Sequence, residues 1–158
     1  MKKEMWLIIG ILFCVVASIG YYIFSDHLPP RTPLKIARLR SRLDIPKETQ
    51  LADFKEVYAF TGEGEIFVKF KLDDTNIDKI ITQCKKKNYK KLTVKNLIID
   101  KLINVGSLKH QYFIQGKDIT LIKEGFYQLE AINLNEMDFC ITILDIEKKQ
   151  LIVYVSFP

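Results

Sequence analysis

The longest apolar run in the chain begins at Met5 and ends at Phe24, and its twenty residues include no charge. At about 1.5 Å of rise per residue, a helix of this length spans the roughly 30 Å hydrocarbon layer of a bilayer. Trp6 lies near one end and Tyr21 and Tyr22 near the other, where aromatic rings favour the membrane interface. The pattern predicts an N-terminal transmembrane helix that acts as an uncleaved signal anchor. A cleaved signal peptide is the alternative.

The segment that follows, residues 25–46, combines a spacer with a short basic helix. Three prolines within residues 25–33 predict an extended, stiff spacer. Basic and apolar residues then recur at helical spacing over residues 34–43, and Pro46 is expected to end this helix. The basic side chains are expected on a solvated face, with contact to anionic lipid headgroups at the membrane interface as the functional alternative. Those side chains include Arg38, Arg40 and Arg42.

Alternation with a period of two is clearest over residues 66–72, where four apolar residues alternate with Phe67 and two lysines. This pattern predicts a half-buried strand. Residues 57–61 are expected to form its partner, and Gly62 and Gly64 supply the turn between them. The predicted unit is therefore a β-hairpin.

A helix is predicted directly after this hairpin. Residues 73–75 provide N-capping side chains. The apolar residues then follow helical spacing, which places Cys84 on the buried side of the helix. Lysines at residues 85–87 suit the C-terminal end, where the helix dipole favours cations. The apolar residues with this spacing are Ile77, Ile80, Ile81 and Cys84.

The C-terminal half is expected to consist mainly of strands. Residues 93–105 suit a second helix that Gly106 ends, and two candidate strands, 119–123 and 126–132, meet at Gly125. A further hairpin is predicted from residues 138–144 and 151–157. The second strand of that hairpin places four apolar residues on one face, namely Leu151, Val153, Val155 and Phe157.

These elements define three regions: a membrane anchor over residues 1–24, the spacer and basic helix over 25–46, and a globular domain over 47–158. The order of strands, helices and further strands predicts an α+β domain, with an antiparallel sheet and one or two helices packed on one face.

The densest group of charges lies just after the predicted helix and contains one aromatic residue. It is interpreted either as a solvated helix end or as a partner-binding patch. The net charge of the whole chain is only +5, so a nucleic-acid partner is not expected. An acidic protein surface or anionic lipid fits better. The residues of this patch are Lys85, Lys86, Lys87, Tyr89, Lys90 and Lys91.

No catalytic, cofactor or metal motif is found. The two glycines of the first hairpin precede a strand, whereas a phosphate-binding loop needs a helix N-terminus. Cys84 and Cys140 are expected to be two buried free thiols, with a disulfide as the alternative. A nucleophilic Cys84 with His110 is the one enzymatic arrangement considered. It is disfavoured because a reactive thiol must be exposed.

The expected function is a membrane-anchored interaction domain that binds another protein without catalysis, of the immunity type or as an envelope accessory protein of a bacterium. The alternatives are an enzyme using His110 or Cys84, and a cytoplasm-facing domain that binds anionic lipid or nucleic acid. Five basic residues within residues 31–42 favour a cytoplasmic domain. The exit of the span, residues 25–30, has no Lys or Arg, and Lys2 and Lys3 lie close to the start of the apolar run. Both observations favour the opposite orientation, which places the domain outside the cytoplasm.

Overall fold

The computed structural model describes residues 2–23, 25, 29–58, 64–92, 122–133 and 138–157. Three helices and six strands lie within these ranges. In chain order they are α1 (Lys2–Ile23), α2 (Pro33–Ser41), β1 (Gln50–Tyr58), β2 (Gly64–Lys71), α3 (Asp74–Lys86), β3 (Lys90–Leu92), β4 (Gly125–Asn133), β5 (Asp138–Asp145) and β6 (Gln150–Phe157).

The six strands form one antiparallel sheet in the order β1-β2-β6-β5-β4-β3. Both predicted hairpins are present, since β1 pairs with β2 and β5 pairs with β6. Although β2 is far from β6 in sequence, the two lie side by side and join the hairpins. The predicted α+β class with an antiparallel sheet is therefore confirmed.

The first face of the sheet packs against α2 and α3. Ile36 and Ala37 of α2 and Ile77, Ile80 and Cys84 of α3 are buried in one cluster with the sheet. The three described side chains of the predicted β6 face, Leu151, Val153 and Val155, belong to the same cluster.

The second face of the sheet is also apolar and buried in its centre. Ile141, Ile143, Ile152 and Tyr154 form a separate cluster on this face. The rings of Phe139 and Tyr154 are tilted, with their centroids 5.7 Å apart. Because β5 and β6 bury both faces, their sequences read as nearly continuous apolar runs.

The α3 helix begins and packs as its sequence predicts. The side chain of Asp73 accepts a hydrogen bond of 2.7 Å from the backbone N–H of Asn76, which is an N-cap. The apolar stripe faces the sheet, with Ile81 partly buried at its margin. A helix with one apolar side is stabilised mainly by such packing.

The α2 helix differs from expectation in its end and in its role. It ends at Ser41, where Arg42 adopts a left-handed conformation with φ of 57°, so the prediction that Pro46 ends it is wrong. Thr32 accepts a hydrogen bond from Lys35 N as the N-cap, which makes Pro33 the first helical residue. The helix packs on the sheet as part of the domain core, although its sequence suggested a connecting element.

Several strand boundaries also differ from expectation. The β1 strand begins at Gln50, seven residues before the predicted start, because an exposed edge strand carries charges that hide its alternation. The three-residue β3 was not predicted. Residues 122 and 123 are not in a strand, while residues 93–105 and 119–121 lie outside the described residues.

The α1 helix carries apolar side chains that the rest of the domain does not cover. Each described side chain from Ile9 to Ile19 is exposed, and Phe13 is 73% exposed. Among the helices of the described residues, none has the length and hydropathy needed to cross a membrane, so the predicted N-terminal transmembrane helix is not confirmed.

Gly125 provides a direct test of the sheet. A Cβ atom at this position would lie 2.0 Å from the backbone oxygen of Leu144 on the neighbouring strand. Gly125→Ala is expected to lower the free energy of unfolding by about 2 kcal/mol or more, because backbone atoms cannot move aside cheaply. Gly20→Ala is the control, since nothing lies within 4 Å there. Chemical denaturation of both variants measures the difference, and equal stabilities would contradict this packing.

Candidate partner-binding surface

The predicted basic patch lies where α3 ends and the chain turns toward β3. Lys87 is the C-cap, and Asn88 follows in a left-handed conformation with φ of 59°. The backbone N–H of Tyr89 donates to the carbonyl of Cys84 at 2.9 Å, and that of Asn88 donates to Lys85 at 3.4 Å. These two bonds form a Schellman motif, which ends the helix and reverses the chain within a few residues.

Five side chains of this turn point into solvent and form what we term the lysine surface: Lys85, Lys86, Lys87, Lys90 and Lys91. The buried stripe of α3 fixes the rotation of the helix and so directs its last turn outward. Within the part of the chain that the structure describes, no ion pair involves any of these five lysines. The lysine surface therefore carries positive charge that no described acidic side chain neutralises.

Tyr89 does not belong to this surface, although the sequence placed it in the patch. Its side chain is buried, with 6% exposure, and its hydroxyl donates to the carbonyl of Ser41 at 2.6 Å. Burial raises the pKa of Tyr89 above its ordinary value of 10.0. The apolar contact of Tyr89 with the core accompanies the Schellman motif, and so the aromatic ring anchors the turn instead of exposing a stacking surface.

Two of the three arginines in and just after α2 make contacts within the domain. Nε of Arg38 donates to the carbonyl of Ile45 at 2.8 Å. Arg42 forms an exposed ion pair of 3.1 Å with Glu130, and Arg40 is exposed. These contacts tie the end of α2 to the sheet and to the following loop.

The membrane-interface role predicted for a further six residues stays a prediction. Tyr21 is exposed, and the side chains of Trp6 and Tyr22 lie outside the described residues. The contacts of Arg38 and Arg42 and the exposure of Arg40 do not test whether these side chains bind lipid headgroups.

A groove of about 610 Å³ runs beside α3, between this helix and the loop that follows α2. The side-chain amide of Gln83 clamps the loop: it accepts from Asp44 N at 2.7 Å and donates to Asp44 O at 3.1 Å. Carboxylates and one lysine line the groove, including Glu48, Asp78 and Lys79. Sequence patterns did not reveal this groove, because the loop and the helix are far apart along the chain.

Cys84 and Cys140 are free thiols in the core, which confirms the prediction of two buried free thiols. Burial raises the pKa of each from 9.0 to about 12. A nucleophilic cysteine needs the opposite shift, toward the thiolate at neutral pH. His110, the other member of the proposed catalytic pair, lies outside the described residues. Among the described residues, no group of three or more metal-ligating side chains occurs.

Comparison with known proteins finds no relative of this chain. No family model matches the chain, and neither a curated protein nor a solved structure matches it. The functional argument therefore depends on the chain's own surfaces.

The core thiols are expected to resist alkylation. In a Cys14→Ser background, iodoacetamide at pH 8 should modify Cys84 and Cys140 at least about a hundredfold more slowly in the native protein than in the denatured chain. Lys71→Cys in the same background controls for reagent access. Mass spectrometry measures the rates, and fast native labelling would contradict the core position of these thiols.

The same pKa shift predicts the effect of alkaline pH on stability. Because the folded pKa is raised, the contribution of the neutral thiols is fully present below pH 9 and is lost as pH rises from 9 to about 12.

Proposed function

We propose that this chain is a membrane-anchored protein whose C-terminal domain binds another protein outside the cytoplasm without catalysing a reaction. The observation that carries the proposal is the lysine surface, whose five cationic side chains are exposed and have no ion-pair partner among the described residues. Neutralisation of a toxin, or accessory binding within a bacterial envelope, is the kind of role that such a domain would serve.

The proposed anchor is the apolar run of residues 5–24. Ile11, Leu12 and Phe13 are all exposed, and consecutive residues of a helix point about 100° apart. Apolar residues therefore surround α1. A helix that is apolar on every side needs lipid or protein around it, and twenty uncharged residues match the thickness of the bilayer core.

Three basic side chains elsewhere in the domain have acidic partners. Lys123 pairs with Glu147 at 3.7 Å, Lys149 pairs with Asp74, and Arg42 pairs with Glu130. At the lysine surface no described acidic side chain pairs with the five lysines, and their charge is proposed to serve a partner. A cationic surface attracts an acidic one, accelerating association and fixing the orientation of the partner.

A protein partner is favoured over nucleic acid by the position of Tyr89. Proteins that bind single-stranded nucleic acid combine basic groups with exposed aromatic rings on which bases stack. The aromatic ring within this segment is in the core. The overall charge of +5 is also small for a nucleic-acid-binding protein.

The first test reverses charge at the lysine surface. Full-length protein carrying Lys87→Glu and Lys91→Glu is compared with wild type in pull-downs from solubilised envelopes, with candidate partners identified by mass spectrometry. Binding of the captured partner should weaken at least about tenfold, because acidic groups would then face acidic groups. Titration of that partner against immobilised protein measures the affinity.

The matched control is Lys71→Glu with Lys148→Glu, which reverses the same number of charges. These exposed residues lie near the start of α3, roughly 18 Å from its lysine-rich end at 1.5 Å per residue. The control should retain the partner, and all variants should have the same melting temperature as wild type. Equal loss of partner binding in both double variants would indicate a general charge effect. Equal retention would exclude the lysine surface as the binding site. Capture by vesicles with anionic lipid in place of a protein would favour the lipid alternative.

A second test concerns orientation. With a tag after Pro158, protease treatment of intact cells or spheroplasts should remove the tag, because the domain is proposed to lie outside the cytoplasm. The mass of the remaining chain reports whether the N-terminal segment has been cleaved. A tag that is cut only after lysis would place the domain in the cytoplasm and overturn this part of the proposal.

A further inference from the structure

The β1 strand occupies one edge of the sheet and is exposed along most of its length. It pairs with β2 on its inner side, and no described strand lies on its outer side. Leu51, Val57 and Tyr58 are between 39% and 49% exposed. An edge strand has a row of backbone donors and acceptors available to a further strand, and apolar side chains on such an edge favour that pairing.

The sequence of β1 is complementary to itself in a single antiparallel register. Two identical strands related by a twofold axis perpendicular to the sheet must place one residue opposite its own copy. An axis at Asp53, Lys55 or Glu56 would place identical charges opposite each other, which destabilises a sheet. An axis at Phe54 places the two Phe54 residues opposite each other and each Asp53 opposite a Lys55.

We infer that β1 pairs with β1 of a second copy of this chain, antiparallel and with the twofold axis at Phe54. Two opposite-charge pairs then flank an aromatic pair, and each of these contacts stabilises neighbouring strands. The sheet continues across the two copies. This inference is independent of the lysine surface.

The same register limits how far regular pairing extends along β1. Leu51 and Val57 fall opposite each other in it, but Leu51 pairs with Phe70 on the first face of the sheet and Val57 pairs with Glu65 on the second, so their side chains do not meet. A β-bulge between Leu51 and Asp53 adds one residue at this flank. Regular pairing is therefore concentrated in residues 53–55, and the bulge increases the local twist of the strand. Such a short interface gives a weak dimer that depends on protein concentration.

A second copy is the favoured occupant because of this charge complementarity. An unrelated peptide could pair with the backbone of β1, but nothing in such pairing requires Asp53 and Lys55, two residues apart, to carry opposite charges. Asp53 is exposed and Lys55 half-buried, both on the second face of the sheet, so the two reach across the axis on the same side.

A charge-exchange experiment tests the pairing in full-length protein in detergent or nanodiscs. Asp53→Lys alone and Lys55→Asp alone should each shift the dimer dissociation constant upward at least about tenfold, because like charges would face each other. A mixture of the two variants should form heterodimers, since each lysine of one chain then faces an aspartate of the other. Sedimentation or mass photometry over a concentration series measures all three samples.

The heterodimer separates loss of pairing from loss of folding. A misfolded variant would not recover on mixing, and melting curves check each variant alone. Recovery on mixing supports the proposed register. Failure of the mixture to dimerise, when wild type does, would overturn it.

Disulfide trapping tests the same register by distance. Directly opposite residues have Cα atoms about 4.5–5.5 Å apart, which suits a disulfide, whereas diagonal neighbours are about 7–8 Å apart. In a Cys14→Ser background, Phe54→Cys should give a covalent dimer on mild oxidation. Ala52→Cys is the matched control and should give little, because it keeps both charge pairs and lies four residues away from its own copy in this register.

Several results would overturn the inference. Equal trapping of both variants would contradict the register. A wild-type chain that stays monomeric at every concentration, with no trapping of Phe54→Cys, would exclude self-pairing. Trapping of Phe54→Cys to a different protein would show that β1 accepts another occupant.

Discussion

The hydroxyl of Tyr89 donates a buried hydrogen bond to the carbonyl of Ser41 and so connects parts of the domain that are distant in sequence. The last carbonyls of a helix have no partner within the helix, so a buried helix end needs donors from elsewhere. Here the Tyr89 hydroxyl serves the end of α2, and the thiol of Cys140 approaches the carbonyl of Arg40 at 3.8 Å. Leaving such a buried carbonyl without a donor costs about 1–3 kcal/mol, which is a large share of a small domain's stability.

This constraint also determines where the lysines point. Once Tyr89 is held in the core, the residues on either side of it must leave the core, and the left-handed Asn88 lets the chain reverse there. Lys87 and Lys90 therefore lie in solvent on both sides of one buried ring. A rigid turn presents these charges with little loss of conformational freedom on binding, which favours their use in recognition.

The two proposed interaction surfaces lie at opposite edges of the sheet. The lysine surface adjoins β3, and the proposed self-pairing uses β1, five strand spacings away. At about 4.8 Å per spacing, the two edges are roughly 24 Å apart. Self-pairing through β1 would thus leave both lysine surfaces of a dimer accessible, so binding of a partner and pairing of two copies are compatible.

The sequence predicted those elements whose residues carry a strong local signal. The apolar stripe and the Asp73 cap of α3 were recognised, as were both hairpins, because period-two and helical spacing are visible when one face is buried. The β1 strand was underestimated since Asp53, Lys55 and Glu56 interrupt its pattern on an exposed edge. The short β3 has no pattern of its own and exists only because β4 lies beside it.

The candidate site was predicted in part for the same reason. The five lysines of residues 85–91 could be read from the chain, since charge is a property of the residue itself. Whether Tyr89 is exposed could not, because an aromatic residue among lysines suits a binding surface and a core anchor equally. By itself, the sequence determined the apolar N-terminal run, the α+β class and the concentration of charge after α3. Only the tertiary structure decided which charges are paired, that Tyr89 and α2 belong to the core, and which strands form the edges, because these properties depend on neighbours that are distant in sequence.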